Sequence, residues 1–395
     1  MHDKKTLLLV AIPNSIHTAR WVTQIMDQGW DIHLFPSMAG APIHPEITGV
    51  TVHYLTHNER IASVEARLPS RTSLFSRAML AVKRRVLDER FPKWRAKQLA
   101  RVVGRLRPDI LHAMEIQGAG YLTLEARKIL GGRFPPWIMT NWGSDIYLFG
   151  RLQAHRDRIR DVLEHCDYYS CECKRDVALA REFGFKKDAL PVIPNSGGFD
   201  LRRAREGRRQ IVTSDRRIIM LKGYQGWAGR ALVGLRALER CADLLTKYSI
   251  VIYSAAPDVV IAAELFTDRT GVATRILPAS TPHEEILSCH AQARISIGLS
   301  IGDAISTSLL EAMVMGSFPI QSCTACADEW VQHGVSAFIV PPEDPDVIET
   351  AIRTALMDDE LVNSASEINW QVSQARLDKA LLKDRVIQMY RDVMK

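Results

Sequence analysis

Residues Ile295-Ser-Ile-Gly-Leu-Ser-Ile-Gly-Asp303-Ala-Ile-Ser306-Thr-Ser308-Leu-Leu-Glu311-Ala-Met313 decide the architecture of this chain. A short β-branched apolar run, Ile295–Leu299, gives way to a sharp turn at Gly302. Then come Ser306, Thr307 and Ser308, each a good helix N-cap. Strand, glycine turn and capped helix make one step of a parallel α/β sheet. In such sheets ligands bind beyond the carboxyl ends of strands, where helix N-termini offer unpaired amides. Glu311 falls about one turn inside the helix. Its carboxylate can accept two hydroxyls of a ribose. At Ser-x-x-Glu spacing from Ser308 it can equally close a capping box.

The same alternation extends in both directions. Strands are predicted at Arg217–Leu221, Ser249–Tyr253, Arg275–Leu277, Phe318–Gln321 and Ala337–Val340. The N-terminal half repeats the pattern with Lys5–Ile12, Asp31–Phe35, Val50–Leu55, Asp109–Met114, Trp137–Thr140 and Tyr168–Cys171. Helical spacing fills the intervals, as in Ile16–Gln28, Ser76–Leu106 and Ala119–Leu130. Near-continuous apolar strands between helices imply parallel sheets covered on both faces. The stretch Pro194–Asp215 carries Gly197, Gly198, Gly207 and a charged run from Arg202 to Arg209, and reads as an interdomain linker. With 395 residues, two domains are expected. The fold class is α/β: two doubly wound, Rossmann-like domains facing a central cleft. The first spans 1–200 and the second 201–375, with a helix over 376–395 packing back on the first.

Composition excludes several classes. No apolar run approaches the ~18 residues of a membrane-spanning helix. The apolar segment Thr6–Ile12 is too short for a signal peptide core and reads as a buried strand. Seven scattered cysteines, an odd number, point to reduced thiols in a cytoplasmic protein. Cys323 and Cys326 have CxxC spacing without a second pair, and Cys166, Cys171 and Cys173 lie near His165. Both groups read as small buried residues, and no metal or other cofactor is expected. The net charge of +6 is uneven: Arg71 to Arg107 holds twelve Lys/Arg against two Asp/Glu, with Phe75, Phe91 and Trp94 among them. This is either a solvated helix face or a surface for anionic lipid or a pyrophosphate-bearing acceptor. No nucleic-acid-reading motif accompanies it.

Three further loops follow predicted strands. Lys222-Gly223-Tyr-Gln-Gly226-Trp-Ala-Gly229-Arg230 leads into a helix and combines glycines, helix amides and two cations. It suits a pyrophosphate, or is simply a tight turn. It lacks the Lys-Ser/Thr ending of a nucleotide-hydrolysing loop. Thr140-Asn-Trp142-Gly143-Ser144-Asp145 places Asp145 where a polar catalytic group or an N-cap would stand. Pro13-Asn-Ser-Ile-His17 is no dinucleotide fingerprint, and His112-Ala-Met-Glu115 faces the same way. His17, His112 and Glu115 are candidates for the acceptor side.

The segment Asp303–Met313 resembles family 4 of the retaining glycosyltransferases, which have a two-domain B-type fold. The family pattern of Glu, seven residues, Glu-Ala-Met reads here as Asp303, seven residues, Glu311-Ala-Met313, then Met315-Gly316-Ser-Phe-Pro319. The likeness continues through Glu329, Gly334, Phe338–Pro345, Val192–Asn195 and Asp200, and through Asp109–His112 and Gly143–Asp145. It implies that Glu311 holds the donor's ribose, that Asp303 contacts the transferred sugar, and that Arg230 meets phosphate. Ser306 and Thr307 would offer amides. Three residues depart from the pattern: Asp303 is one methylene shorter than Glu, Gln225 stands where an Arg is usual, and Trp142 replaces a His.

Breaking the bond to a nucleotide sugar builds negative charge on the pyrophosphate and positive charge at the anomeric carbon. Lys222, Arg230 and the Ser306 helix start can meet the first charge without a metal. Asp303 or Asp145 can meet the second. The expected activity is retaining sugar transfer from a nucleotide-sugar to a saccharide or lipid-linked acceptor, in surface polysaccharide or glycoconjugate synthesis. It would take place in the cytoplasm or on the inner face of the membrane. The alternatives are a degenerate nucleotide-sugar-binding scaffold and a sugar-nucleotide epimerase of the same fold.

Overall fold

A computed structural model describes residues 4–54, 57–61, 93–208 and 210–395. The chain divides into two compact units. The first is Met1–Gly197 together with Lys383–Lys395, and the second is Gly198–Leu382.

The first unit is a seven-stranded sheet in the order β4-β3-β2-β1-β5-β6-β7. Its strands are β1 (Thr6–Ala11), β2 (Asp31–Pro36), β3 (Val50–His53), β4 (Asn58–Ile61), β5 (Ile110–Met114), β6 (Trp137–Thr140) and β7 (Tyr168–Ser170). All pairs are parallel except β3–β4. β4 lies outside the predicted strands. Its sequence, Asn-Glu-Arg-Ile, is polar and exposed apart from Ile61, as suits an edge strand, so it carries no apolar signal. Strand order reverses between β1 and β5, which places the loops after Ala11 and Met114 at the switch point.

The second unit is a six-stranded, wholly parallel sheet in the order β10-β9-β8-β11-β12-β13. Its strands are β8 (Ile218–Lys222), β9 (Ser249–Tyr253), β10 (Thr274–Ile276), β11 (Ala293–Gly298), β12 (Phe318–Ser322) and β13 (Phe338–Val340). Alternate residues of one strand feed opposite faces. Ile219 and Leu221 join the large core with Leu235, Leu238 and Phe266, whereas Met220 joins a smaller cluster with Val251 and Leu277. Order reverses between β8 and β11, so the loops after Lys222 and Gly298 share the switch point of this sheet.

The linker expectation is corrected. Residues Leu201–Arg208 form a helix of the second unit, followed by a short 3₁₀ turn, Thr213–Asp215. Charge here is partly internal. The buried guanidinium of Arg216 donates to the carbonyls of Arg208 (2.8 Å), Ile211 (3.1 Å) and Met315 (3.1 Å). The unit boundaries at 197/198 and 382/383 also differ from 200 and 375. Phe199 N–H donates to Leu377 O (2.9 Å) and Lys379 N–H to Phe199 O (3.0 Å), so the chain's return passes beside its exit. Gly198 permits that approach: its φ is +75°, and a methyl there would lie 2.8 Å from Lys379 Cα.

Of the basic run 71–107, only 93–107 is described, as the helix Trp94–Leu106. The remainder, with Phe75 and Phe91, lies outside the described residues. Among the described residues no helix is long and apolar enough to cross a membrane.

Candidate active site

At the switch point of the second unit, β8 ends on Lys222, and the loop after β11 brings back Asp303 and Ser306. Lys222 Nζ stands 3.3 Å from Ser306 Oγ and 3.5 Å from Asp303 Oδ2, and 4.2 Å from the centre of the Tyr224 ring. Burial alone would pull this ammonium's pKa down. Asp303, Tyr224 and Glu311 outweigh it, and the pKa rises above the ordinary lysine value. A charged lysine is therefore held in a largely dry site. Asp303 keeps its side chain 31% exposed, so one carboxylate of the pair reaches solvent.

Glycines let the loop after β8 pack against the segment after β9 and fold tightly on itself. A methyl on Gly223 would lie 2.5 Å from Ala255 Cα, and one on Gly229 would lie 2.7 Å from Tyr224 O. Arg230 N–H donates to Leu299 O (3.0 Å), stitching the loop after β8 to the end of β11. The side chain of Arg230 turns elsewhere. It pairs with Glu343 (2.7 Å) and donates to the carbonyls of Gly226 (2.5 Å) and Gly229 (3.0 Å). Lys222 rather than Arg230 thus joins Asp303 and Ser306. Both cations flank the same glycine loop in the sequence, and the family resemblance implies the phosphate contact for Arg230.

The helix Thr307–Met315 starts at Ser306, whose side chain forms no capping bond but meets Ser308 Oγ at 2.7 Å. Thr307 occupies the first helical position, where its amide is among the unpaired ones. The capping-box alternative for Glu311 is absent. Glu311 is buried, and its Oε1 lies 2.7 Å from His283 Nε2, while Oε2 lies 3.5 Å from His290 Nε2. Burial pushes this carboxyl up, but the two histidines more than offset that and hold it well below the usual carboxylate range. Both histidines were missed in the sequence. They sit on the helix His283–Gln292, one at each end, and neither belongs to the motif around Asp303.

In the first unit the candidate residues serve mostly as internal supports. His112 is fully buried between Tyr390 Oη (2.5 Å from Nδ1) and Thr140 Oγ1 (2.7 Å from Nε2), and burial pulls its pKa down to about 3. The acceptor-side expectation for His112 is corrected: both ring nitrogens are engaged inside the protein. Glu115, at φ +76°, accepts from the amides of Gly118 (2.8 Å) and Ala119 (2.5 Å) and caps the π-turn Ile116–Gly120. Asp145 accepts from the amides of Ile116 (3.0 Å) and Trp142 (2.9 Å). Burial, then the neighbouring Glu115 and Asp176, push its carboxyl up to about 8. Both oxygens of Asp145 are thus engaged by backbone amides, which makes it a clamp between two loops. His17 packs its ring 5.3 Å from that of Trp142.

Two parallel α/β sheets, one with a lysine and a carboxylate at its switch point, give a fold and a charged site without fixing the activity. Comparison with known proteins makes the assignment specific. Residues 6–169 match the family described as "Glycosyl transferase 4-like", and residues 271–370 match "Glycosyl transferases group 1". Sucrose-phosphate synthase from Thermosynechococcus elongatus is similar in structure, with TM-score 0.72 and 14% identity, covering 99% of each chain. A trehalose 6-phosphate synthase from Burkholderia multivorans is also similar (TM-score 0.69, 14% identity, 99% of this chain and 97% of that one). So is Anabaena HepE, solved in complex with UDP-glucose (TM-score 0.68, 14% identity, 98% and 99%). No curated protein matches in sequence. Each half of the chain thus matches a glycosyltransferase family, and the fold is the two-domain B-type one.

Proposed function

We propose that this glycosyltransferase takes a nucleotide-sugar as donor and transfers the sugar with retention, without a metal ion, to a saccharide or lipid-linked acceptor. The observation that carries the donor reading is the convergence of Lys222, Asp303 and Ser306 at the switch point, with ionised Glu311 one turn into the following helix. Lys222 and the unpaired amides at Ser306–Ser308 would take the pyrophosphate as its charge grows. Glu311 would accept the ribose hydroxyls. Asp303, the part-exposed carboxylate beside Lys222, would face the transferred sugar and its developing positive charge. Arg230 would contribute by bracing the glycine loop. The Anabaena structure was solved with UDP-glucose, which makes a uridine nucleotide the first donor to test.

The basic run 71–107 supports a surface that meets anionic lipid or a phosphorylated acceptor, and with it a role in surface polysaccharide or glycoconjugate synthesis on the inner face of the membrane. Binding to anionic vesicles at low salt, lost at high salt, is the expected result. Equal binding to neutral vesicles would count against it.

The direct test of the donor site is a thermal-shift panel of UDP, GDP, ADP, CMP and their sugar conjugates on wild type and Glu311→Ala. A ligand that binds only the folded state raises its melting temperature. Stabilisation by one nucleotide, lost in Glu311→Ala, is expected. An equal shift in both proteins would remove Glu311 from the site.

A further inference from the structure

Two histidines beside Glu311, His283 and His290, take no direct part in that donor site. They belong to a row of polar groups inside the second unit. Ser317 Oγ meets Ser296 Oγ at 2.7 Å, and Ser296 Oγ meets His290 Nδ1 at 2.8 Å. His290 Nε2 faces Glu311 Oε2 at 3.5 Å, and Glu311 Oε1 meets His283 Nε2 at 2.7 Å. His290 is fully buried and Glu311 nearly so, whereas the His283 side chain is 36% exposed. The row thus runs from the core to the surface and ends on an imidazole.

We propose that His283 is a positioning residue for nucleotide recognition: it fixes the Glu311 carboxylate in the orientation that accepts the hydroxyls of a ribose. This rests on the donor reading of Glu311 and extends it. A carboxylate oxygen has two acceptor sites. His283 occupies one on Oε1 and leaves the other for a ligand hydroxyl. Because its partner is an ionised carboxylate, His283 Nε2 must carry hydrogen, which makes the contact a charge-assisted bond. The 3.5 Å separation on the other side is too long to hold the carboxylate by itself. His283 is therefore the stronger of the two anchors. Its backbone is set by the helix start, with Pro282 at the N-cap fixing the turn into His283. Lys222 from β8 and Tyr253 from β9 also act electrostatically with Glu311, but neither forms a hydrogen bond to it.

A residue that orients a ribose acceptor affects ribonucleotides and 2′-deoxyribonucleotides differently. A residue that merely supports the fold affects them alike. The experiment measures the Kd of UDP, GDP and ADP and of their 2′-deoxy counterparts by titration calorimetry, on wild type, His283→Ala and His283→Asn. For the nucleotide that wild type prefers, His283→Ala is expected to weaken the ribo form about tenfold, the worth of one hydrogen bond to a charged group. The deoxy form should change by less than about twofold. His283→Asn, which keeps a side-chain N–H donor, should recover part of the loss and serves if the alanine variant is unstable. In a Glu311→Gln background, His283→Ala should have no further effect. Equal weakening of both sugar forms, or undiminished discrimination in both His283 variants, would overturn the assignment. A wild-type protein that binds nucleotide yet does not distinguish ribose from deoxyribose would instead overturn the reading of Glu311 itself. Absence of nucleotide binding in wild type would overturn the donor site as a whole.

Discussion

The phenol oxygen of Tyr390 stands 2.5 Å from Nδ1 of His112, a residue 278 positions earlier in the chain. The same hydroxyl accepts a hydrogen bond from Trp21 Nε1 at 2.8 Å. Trp21 lies on the helix Ile16–Ile25 and His112 on β5, so one side chain from the helix Lys379–Val393 closes over two elements of the first unit. All three residues are fully buried.

Tyr390→Phe keeps the ring and removes both bonds. It leaves the indole N–H of Trp21 and one nitrogen of His112 buried without a partner. The expected loss is about 1–3 kcal/mol, read as a lower urea midpoint for the first unit at unchanged slope. An unaltered midpoint would show that the hydroxyl contributes nothing.

His112 also makes the first unit sensitive to acid. Its folded pKa, about 3, lies below the ordinary value of 6.5 because the charged ring would be buried. As pH falls below 6.5, the unfolded chain takes up a proton that the folded one refuses, so the stability this group allows is full above pH 6.5 and is lost towards pH 3. Other buried groups titrate as well, Asp145 in the opposite sense. The clean readout is thus the difference between wild type and His112→Gln. That difference should move in favour of the variant by about 1.4 kcal/mol for each pH unit between 6 and 4. A constant difference over that range would contradict the buried neutral ring.

In the second unit, Lys222→Met should weaken nucleoside diphosphate binding about 10–100-fold, since it removes a charged donor from a dry site. Lys222→Arg should recover little, because a planar fork does not replace a compact ammonium between Ser306 and Asp303. Asp303→Asn should leave diphosphate affinity near wild type and lower turnover instead. Calorimetry and a steady-state transfer assay separate the two effects. A lysine variant with wild-type affinity would dismantle this part of the site.

The glycine loop permits a steric test. Gly223→Ala sets a methyl 2.5 Å from the backbone at Ala255, where no side chain can swing away. A cost of about 1–3 kcal/mol is expected, with a loss of nucleotide affinity because Lys222 is its neighbour. Gly132→Ala meets nothing within 4 Å and should stay within about 0.5 kcal/mol of wild type. Similar effects at both positions would show that the loop yields easily.

The parallel sheets were legible because apolar β-branched runs such as Ile295–Leu299 are long and regular. β4 was not, since an exposed edge strand needs no apolar residues. The charged run in the second unit's first helix hides its structure for a related reason. Arginines at 202 to 209 look solvated in a sequence, and nothing in their spacing shows that Arg208 is buried. At the site, Asp303, Ser306 and Glu311 could be found from one motif because they lie on a single loop and helix. His283 could not, because its partner Glu311 is 28 residues away and no periodicity joins them. For His112, Glu115 and Asp145 the position at strand ends was readable. Their engagement with buried or backbone partners was not, because those partners lie elsewhere in the chain.

The first unit is assembled from Met1–Gly197 and Lys383–Lys395. A ribosome releases chain from the N-terminus onward, and domains usually fold as they emerge. Here Trp21 and His112 leave the exit tunnel long before Tyr390 exists. The first unit therefore lacks the Tyr390 contacts until the whole of Gly198–Leu382 has been translated. The segment made later is the first to reach its final composition, and the one made earlier is completed only when the last turns of helix arrive.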